Sequence, residues 1–378
     1  MCLQNISRYK THPALFLVVA CGVASSAITL GTPALAYETG SKTFAPRVEG
    51  ELSLEIQSDN IYKSDDPSAE LSDNYTSKEL GLTLHLAPYF QVVGTFLMEP
   101  VRDPTDDRFF EDYGAYAEEI YARFTFGQIG LNVGKYGPAF GRAWDAAPGL
   151  YGDAFAGDYE LAERLGIAVT YERSVSSLGD INLMASVFKL DDTALSRSIF
   201  TGRGKTSRSD GGASNTGGLE SFALDAQFSD VMKSGIGFNL GYRLQAKGIG
   251  PDDVDDEQGF VVGINGEHDF KNAKFEWLVE GARLDNFEAG SSDVDVITAG
   301  MQITFNERYN VAVTGAHRDV DAVGEDYTDR MLQISAGMEV YKGWTVDIGH
   351  KWERTEDIDS RTIGVLFAKT FEFDSAKK

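Results

Sequence analysis

Seven charged side chains lie within one irregular stretch of the sequence, from Gly137 to Gly166. The stretch has no period-2 pattern, and strand-like segments flank it at 129–136 and 165–173. A long connection of this kind is unusual in a compact domain and is usually functional. Its carboxylates outnumber its basic residues: Asp145, Asp153, Asp158, Glu160 and Glu163 against Arg142 and Arg164. In the bore of a channel such carboxylates would favour cations, whereas on an outer loop they would only be solvated.

The elements around this stretch must therefore show whether a bore exists. Alternating segments of about ten residues recur along the chain, a length that suits a tilted strand crossing a bilayer. We count sixteen, with short and long connections in turn. The long ones include the polar stretch 58–77, the Gly/Ser/Arg-rich stretch 191–219, and the acidic stretches 247–258, 319–329 and 355–359.

Each segment separates an apolar face from a polar face. Leu80, Leu82 and Leu84 alternate with Glu79, Thr83 and His85, for example. A soluble β-sandwich also alternates, but the connection rhythm, the strand length and the aromatic residues near strand ends favour a membrane barrel. In a bilayer every backbone polar group must be paired, so only a closed sheet is allowed. The sequence therefore predicts an all-β, closed, antiparallel transmembrane barrel of about sixteen strands.

The first 36 residues predict a secretory signal peptide. Arg8 and Lys10 precede a mostly apolar run, and Ala34-Leu35-Ala36 fits a cleavage site. Residues 37–378 then form the barrel domain. An alternative is a lipoprotein signal, because Cys21 closes a lipobox-like VVAC. Both cysteines, Cys2 and Cys21, lie in this segment, so no disulfide framework is expected.

Charge and motifs exclude several classes of function. The formal net charge of −24 argues against nucleic acid as a partner. No P-loop, Rossmann or GxSxG signature is present, and the scattered histidines have no zinc spacing. The acidic runs at 252–257 and 319–326 lack calcium-loop spacing, and a solvated surface is the plainer interpretation than divalent cations bridging lipopolysaccharide. We expect no cofactor, no resident metal and no enzymatic activity.

The pattern resembles that of Gram-negative outer-membrane porins of the sixteen-stranded kind. Two features carry the resemblance: the long loop after the fifth strand, and the last segment, TIGVLFAKTFEF, which alternates and ends in aromatics. The family often ends on the final Phe, whereas here residues 374–378 follow. A narrower likeness, through GKYGPAFG and DYELAERLG, is to porins proposed for siderophore uptake.

The resemblance implies a constriction loop after strand 5, with the five loop acids lining the pore. It also implies a homotrimer, assembly by the barrel-assembly machinery, and contact with outer-membrane lipid and lipopolysaccharide. General porins often oppose the loop acids with basic wall residues, and the candidates on the polar face are Arg123, Arg243, Arg318 and Lys351. Acids on that face outnumber them, and they include Glu51, Glu55, Glu79, Glu119, Glu280, Glu339 and Asp347.

We therefore expect an integral outer-membrane porin that passes small hydrophilic solutes and ions by passive diffusion, with a preference for cations. Three alternatives stay open from the sequence. The first is a substrate-selective, siderophore-type porin. The second is a non-conducting structural or adhesive barrel, and the third is an outer-membrane hydrolase.

Overall fold

One closed antiparallel sheet makes up most of the molecule. The computed structural model describes residues 44–203 and 207–376, so the predicted signal peptide and its cleavage site lie outside the described residues. Each barrel strand pairs with the next along the chain, and the last strand pairs with the first. This pairing confirms the predicted sixteen-stranded barrel.

The chain contains eighteen strands, of which sixteen form the barrel. The first half consists of β1 Arg47–Ser64, β2 Leu71–Ala87, β3 Phe90–Pro100, β4 Arg108–Phe109, β5 Tyr113–Phe126, β6 Ile129–Tyr136, β7 Arg164–Val175, β8 Gly179–Leu190 and β9 Ile199–Phe200. The second half consists of β10 Ser221–Ser229, β11 Ile236–Gln245, β12 Glu257–Phe270, β13 Ala273–Asp285, β14 Asp293–Phe305, β15 Tyr309–Ala322, β16 Glu325–Tyr341, β17 Trp344–Thr355 and β18 Ile358–Asp374. The two-residue strands β4 and β9 attach to the rim within long connections.

Helical structure is sparse. The one α-helix among the described residues, α1, spans Ala143–Ala146 inside the connection after β6. Short 3-10 turns occupy Pro67–Ala69, Ala156–Tyr159, Ala194–Ser196, Arg208–Asp210, Val231–Lys233 and Phe287–Ala289. No helix in the described part of the chain is long and apolar enough to cross a membrane.

The two faces of the sheet carry opposite chemistry. Apolar side chains such as Leu240 and Val262 are 59% and 62% exposed on the outer face. Polar side chains such as Gln333 and Thr298 are fully buried on the inner face. An apolar exterior around a polar interior is the reverse of a soluble sandwich, and it suits a wall that faces lipid.

Exposed aromatic side chains gather where the short turns lie. They include Tyr89, Phe126, Phe270, Phe305, Tyr341 and Phe371. Tyr89 and Phe126 stack across neighbouring turns, with 6.4 Å between ring centroids. Amphipathic rings at this level match an interfacial girdle, and they place the short turns at one membrane boundary.

The predicted rhythm of connections is wrong in three places. Residues 58–64 and 71–77 belong to β1 and β2, so the predicted long link shrinks to six residues. The predicted loop at 319–329 is a hairpin whose strands β15 and β16 turn at Val323-Gly324, and the loop at 355–359 reduces to a turn at residues 356–357. Polar residues can continue a strand beyond the lipid, since both faces then meet water, and composition alone does not show this.

The last strand continues past the final aromatic residue, Phe373. Asp374 is still paired with Glu49, and the Ser375 amide donates to the Val48 carbonyl at 2.9 Å. The aromatic end of the last strand is therefore held in register by the first strand, and Phe373 lies over Gly50, where its ring fills the space that a Cβ would need.

Candidate functional site

β6 is the fifth strand of the barrel, because the two-residue strand β4 is not part of the wall. The connection between β6 and β7, residues 137–163, lies against the inner face of the barrel, and we call it the inner loop. Its apolar side chains Phe140, Phe155 and Tyr159 pack with wall residues of β12 to β16 in one buried cluster. Burial of this apolar side stabilises the loop by the hydrophobic effect. Its polar side is left to face the remaining bore.

Glu280 of β13 holds the beginning of the inner loop. Its carboxylate accepts from the amides of Arg142 and Ala143, at 3.0 and 2.8 Å, and from the Tyr159 hydroxyl at 2.7 Å. Asn239 adds a fourth donor at 2.6 Å. A carboxylate at the first turn of a helix satisfies its free amides, so Glu280 fixes α1 to the wall.

The tip of the inner loop crosses to other strands. The Pro148 carbonyl accepts from Thr314 at 2.5 Å and from Gln333 at 3.0 Å. Tyr151 donates to Asp59 of β1 at 2.6 Å. Gly149 has a φ of +97°, and a Cβ there would lie 1.9 Å from the Gln333 side chain, so only glycine fits this turn.

Two of the predicted wall cations hold the returning part of the loop. Arg243, which is 1% exposed, pairs with Glu257 at 2.6 Å and donates to the Tyr159 carbonyl at 2.5 Å. Arg318 bridges Asp158 of the loop and Asp329 of the wall, each at 2.5 Å. Both guanidinium charges are therefore neutralised by carboxylates.

The other two predicted cations are also occupied. Lys351 pairs with Glu353 at 2.8 Å and lies 5.2 Å from the Tyr151 ring centroid. Arg123 donates to Asn132 at 3.2 Å and to the Tyr121 hydroxyl at 2.9 Å, near the short-turn end. Of the four, Arg123 alone forms no ion pair with a described residue.

The structure separates the five loop acids into paired and unpaired groups. Asp158 pairs with Arg318, and Glu163 pairs with both Lys135 and Arg203. Asp153 is buried, with 9% exposure. Asp145 and Glu160 form no ion pair within the described part of the chain, and Asp145 is exposed to the bore.

Burial changes the acidity of two loop carboxyls. It raises the pKa of Glu160 to about 7, and the nearby Asp145 carboxylate adds to the shift. Burial likewise raises the pKa of Asp153 to about 7, with a partial offset from Lys351. Both groups therefore change charge near neutral pH instead of near the ordinary value of about 4.

A β-bulge places two consecutive glutamates on the wall opposite the loop. Thr95 of β3 pairs with Glu119 of β5 and Phe96 pairs with Ala117, so Glu118 is the extra residue. A bulge redirects side chains, and here Glu118 and Glu119 both face inward. Glu119 accepts from the Gly137 amide at 2.9 Å, whereas Glu118 forms no ion pair with a described residue.

Four unpaired carboxylates meet between this wall and the loop. Glu118 lies close enough to Glu79 and Glu160 to interact electrostatically, and Glu79 is similarly close to Asp145. We call Glu79, Glu118, Asp145 and Glu160 the acidic ring. The sequence identified three of them, Glu79 by strand alternation and Asp145 and Glu160 as acids of the irregular stretch. It assigned Glu118 to neither face, because a bulge leaves no mark in the pattern.

Comparison with solved structures bears on the fold. OprB of Pseudomonas putida matches with a TM-score of 0.60 and 12% identity, over 86% of this chain and 94% of that one. The outer membrane channel DcaP of Acinetobacter baumannii matches with a TM-score of 0.53 and 12% sequence identity, over 86% of this chain and 97% of that one. OpdK of Pseudomonas aeruginosa, solved with vanillate, matches with a TM-score of 0.52 and 10% sequence identity, over 86% of this chain and 99% of that one.

The fold is that of the outer-membrane porins. These matches cover nearly the whole of each known barrel, and they agree with the sixteen-stranded closure seen here. The low sequence identities limit the likeness to architecture. No protein-family model matches the sequence, and no curated protein matches it either.

The residues described contain no group of three or more His, Cys, Asp or Glu that is arranged to hold a metal ion.

Proposed function

We propose that this chain forms a water-filled channel through which small hydrophilic solutes and ions diffuse passively across the outer membrane. A barrel of sixteen strands is wide enough for an aqueous lumen. The inner loop crosses that lumen and is fixed at its beginning, tip and end, by Glu280, Gln333 and Arg318. A loop held at three points would narrow the bore to a constant size.

We further propose that the channel prefers cations. The observation that carries this proposal is the difference in pairing between the two signs of charge. The wall cations Arg243, Arg318 and Lys351 form ion pairs with carboxylates, whereas the acidic ring forms no ion pair with a described residue. The loop cations Arg142 and Arg164 act on Asp145 and Glu160 only through space. Unpaired carboxylates at a constriction attract cations and repel anions.

The test is conductance of the purified, refolded protein in a planar bilayer under a salt gradient. We expect stable open steps and a reversal potential of the sign that cation preference gives. Clear anion preference would contradict the charge argument while leaving the channel intact. A folded barrel without conductance would instead favour a structural barrel whose inner loop closes the bore.

A homotrimer is part of the proposal. The expected observation is closure in three equal steps within one bilayer insertion, together with a trimer mass in mild detergent. Substrate selectivity is tested in the same bilayer, because a bound solute blocks the current at low concentration and a general channel shows no such block. Single equal steps would instead indicate independent channels.

A further inference from the structure

The barrel wall has a gap on the side of the long connections, where β6 leaves β5. The two strands pair only over residues 120–126 of β5, because β6 ends at Tyr136 and the chain turns into the bore. Residues 191–203, which we call the strap, lie along the edge of β5 above this point, and their strand β9 pairs with Gly114 and Ala115. A Cβ at Gly114 would lie 2.9 Å from a strap side chain, so the strap is fitted closely to the wall.

One buried cluster joins the strap to the end of the inner loop. At its centre is Lys135, the last but one residue of β6, which is 1% exposed. Its ammonium donates to the Glu163 carboxylate at 2.7 Å and to the Ala117 carbonyl of β5 at 2.5 Å. In the strap it donates to the Ser196 hydroxyl at 3.0 Å and lies 3.3 Å from Asp191. Lys135 therefore contacts β5, the inner loop and the strap at once.

Arg203, at the other end of the strap, holds the same carboxylate. Its guanidinium forms an ion pair with Glu163 and lies over the Tyr116 ring of β5, 3.5 Å from the ring centroid. Its Nε donates to the Ser196 carbonyl at 3.0 Å. Two cations therefore face the Glu163 carboxylate, Lys135 from the wall and Arg203 from the strap.

Glu163 is the last residue of the inner loop before β7. Its φ is +57°, a left-handed conformation that residues other than glycine rarely adopt and that persists only where the surroundings enforce it. Its carbonyl also accepts from the Asp191 amide at 3.2 Å, so the strap holds the backbone as well as the side chain. Glu160 of the acidic ring lies three residues earlier, between this point and the ion pair of Asp158 with Arg318.

We propose that the strap is a positioning element for the constriction, because its clamp on Glu163 holds Glu160 in the acidic ring. The consequence for ion selection rests on the proposed channel function. Asp158 and the Tyr159 carbonyl are fixed separately by wall arginines. Release of the strap therefore loosens residues 160–163 first and leaves the earlier part of the inner loop in place.

The acidity of Glu160 depends on this position. Burial raises its pKa to about 7, and the Asp145 carboxylate adds to the shift. The other charged groups that face it are Asp153 of the inner loop, Glu118 and Glu119 of β5, and Arg164 of β7. When the strap is released and Glu160 meets water, its pKa returns toward the ordinary value of about 4.3. Glu160 is then charged at both pH 5.5 and pH 8.5, and its contribution to any pH response is lost.

The first test compares Arg203→Gln with Arg197→Gln, which removes the same charge from an exposed position of the strap. Reversal potentials are measured at pH 5.5 and pH 8.5 in a planar bilayer. We expect the difference between the two pH values to fall in Arg203→Gln to that of Glu160→Gln, and to stay native in Arg197→Gln. Loss of a positive charge alone would shift both potentials together. An unchanged pH difference in Arg203→Gln would overturn the proposal.

A disulfide tests whether attachment of the strap is what matters. Ala115 and Ile199 lie opposite each other in the register, with about 5 Å between Cα atoms, which suits a disulfide. Lys135→Met should lower the pH difference, because the strap loses its anchor. Adding Ala115→Cys/Ile199→Cys should restore the difference when oxidised, since Arg203 is again held against Glu163, and dithiothreitol should abolish this rescue. Failure of the oxidised protein to recover would overturn the proposal.

Hydrogen exchange tests the clamp without any current. In the folded barrel in detergent, Arg203→Gln should accelerate amide exchange in residues 160–163 as well as in the strap. Acceleration confined to the strap would overturn the proposal whether or not the barrel conducts. A native protein without conductance, in which Arg203→Gln still accelerates exchange at 160–163, would instead contradict the channel and support the clamp. Heat-modifiable gel mobility confirms that each variant is folded.

Discussion

At the scale of the residue, the proposed cation preference depends on the charge state of individual carboxyls in the bore. The carboxyls of Glu160 and Asp153, with the pKa of each raised to about 7, are neutral in acid and charged in base. We therefore expect cation preference to increase from pH 5.5 to pH 8.5, whereas an ordinary carboxyl would already be charged at pH 5.5. Reversal potentials at the two pH values measure this change.

The matched variants are Glu160→Gln, which removes one carboxyl of the acidic ring, and Asp158→Asn, which removes a carboxylate that already pairs with Arg318. Glu160→Gln should reduce the pH dependence, and Asp158→Asn should retain it in full. A pH response that is unchanged in Glu160→Gln would assign the titration to another group.

Glu280 provides a second prediction at the residue scale. Glu280→Gln keeps the shape but replaces one acceptor oxygen with a donor that faces the amides of Arg142 and Ala143. Loss of a charged acceptor in a buried site costs about 2 kcal/mol. We expect noisier and larger single-channel currents, because α1 is no longer fixed. Glu276→Gln, on the same strand but paired with Lys274 at the surface, should conduct like the native protein.

At the scale of elements, the bulge in β5 makes an unusual deletion possible. Removing Glu118 leaves Phe96 opposite Ala117 and Thr95 opposite Glu119, so the register is preserved. We expect this deletion to give a folded barrel with weaker cation preference. Removing Ala122 instead shifts the strand by one residue and turns its apolar side chains inward. Gel mobility and reversal potential distinguish the two deletions, and failure of both to fold would contradict the register argument.

The sequence predicted elements better than the contacts between them. The alternation of apolar and polar side chains was sufficient to predict sixteen strands. Each strand of a wall between lipid and water places apolar side chains on one face and polar side chains on the other. It was insufficient for the hairpin through Val323-Gly324, where both faces are wet and polar residues fit strand and loop equally well. The roles of Arg243 and Glu280 in holding the loop depend on partners about 80 to 140 positions away, which local pattern does not encode.

For the whole molecule, the formal charge of −24 is less informative than where that charge lies. Carboxylates on exposed outer connections are screened by salt, whereas the proposed selectivity depends on the acidic ring inside the bore. We therefore expect the cation-to-anion permeability ratio to fall as salt rises from 0.1 to 1 M, since the Debye length shortens from about 10 to about 3 Å.

The control for this salt dependence is the fourfold variant Glu79→Gln/Glu118→Gln/Asp145→Asn/Glu160→Gln, which removes four carboxyl groups from the bore and leaves the outer connections intact. The cation-to-anion permeability ratio of this variant should be near unity and should change little with the salt concentration. If the variant remains as selective as the native channel, charge elsewhere on the molecule controls permeation. The comparison thus tests whether selectivity belongs to one level of the bore or to the molecule as a whole.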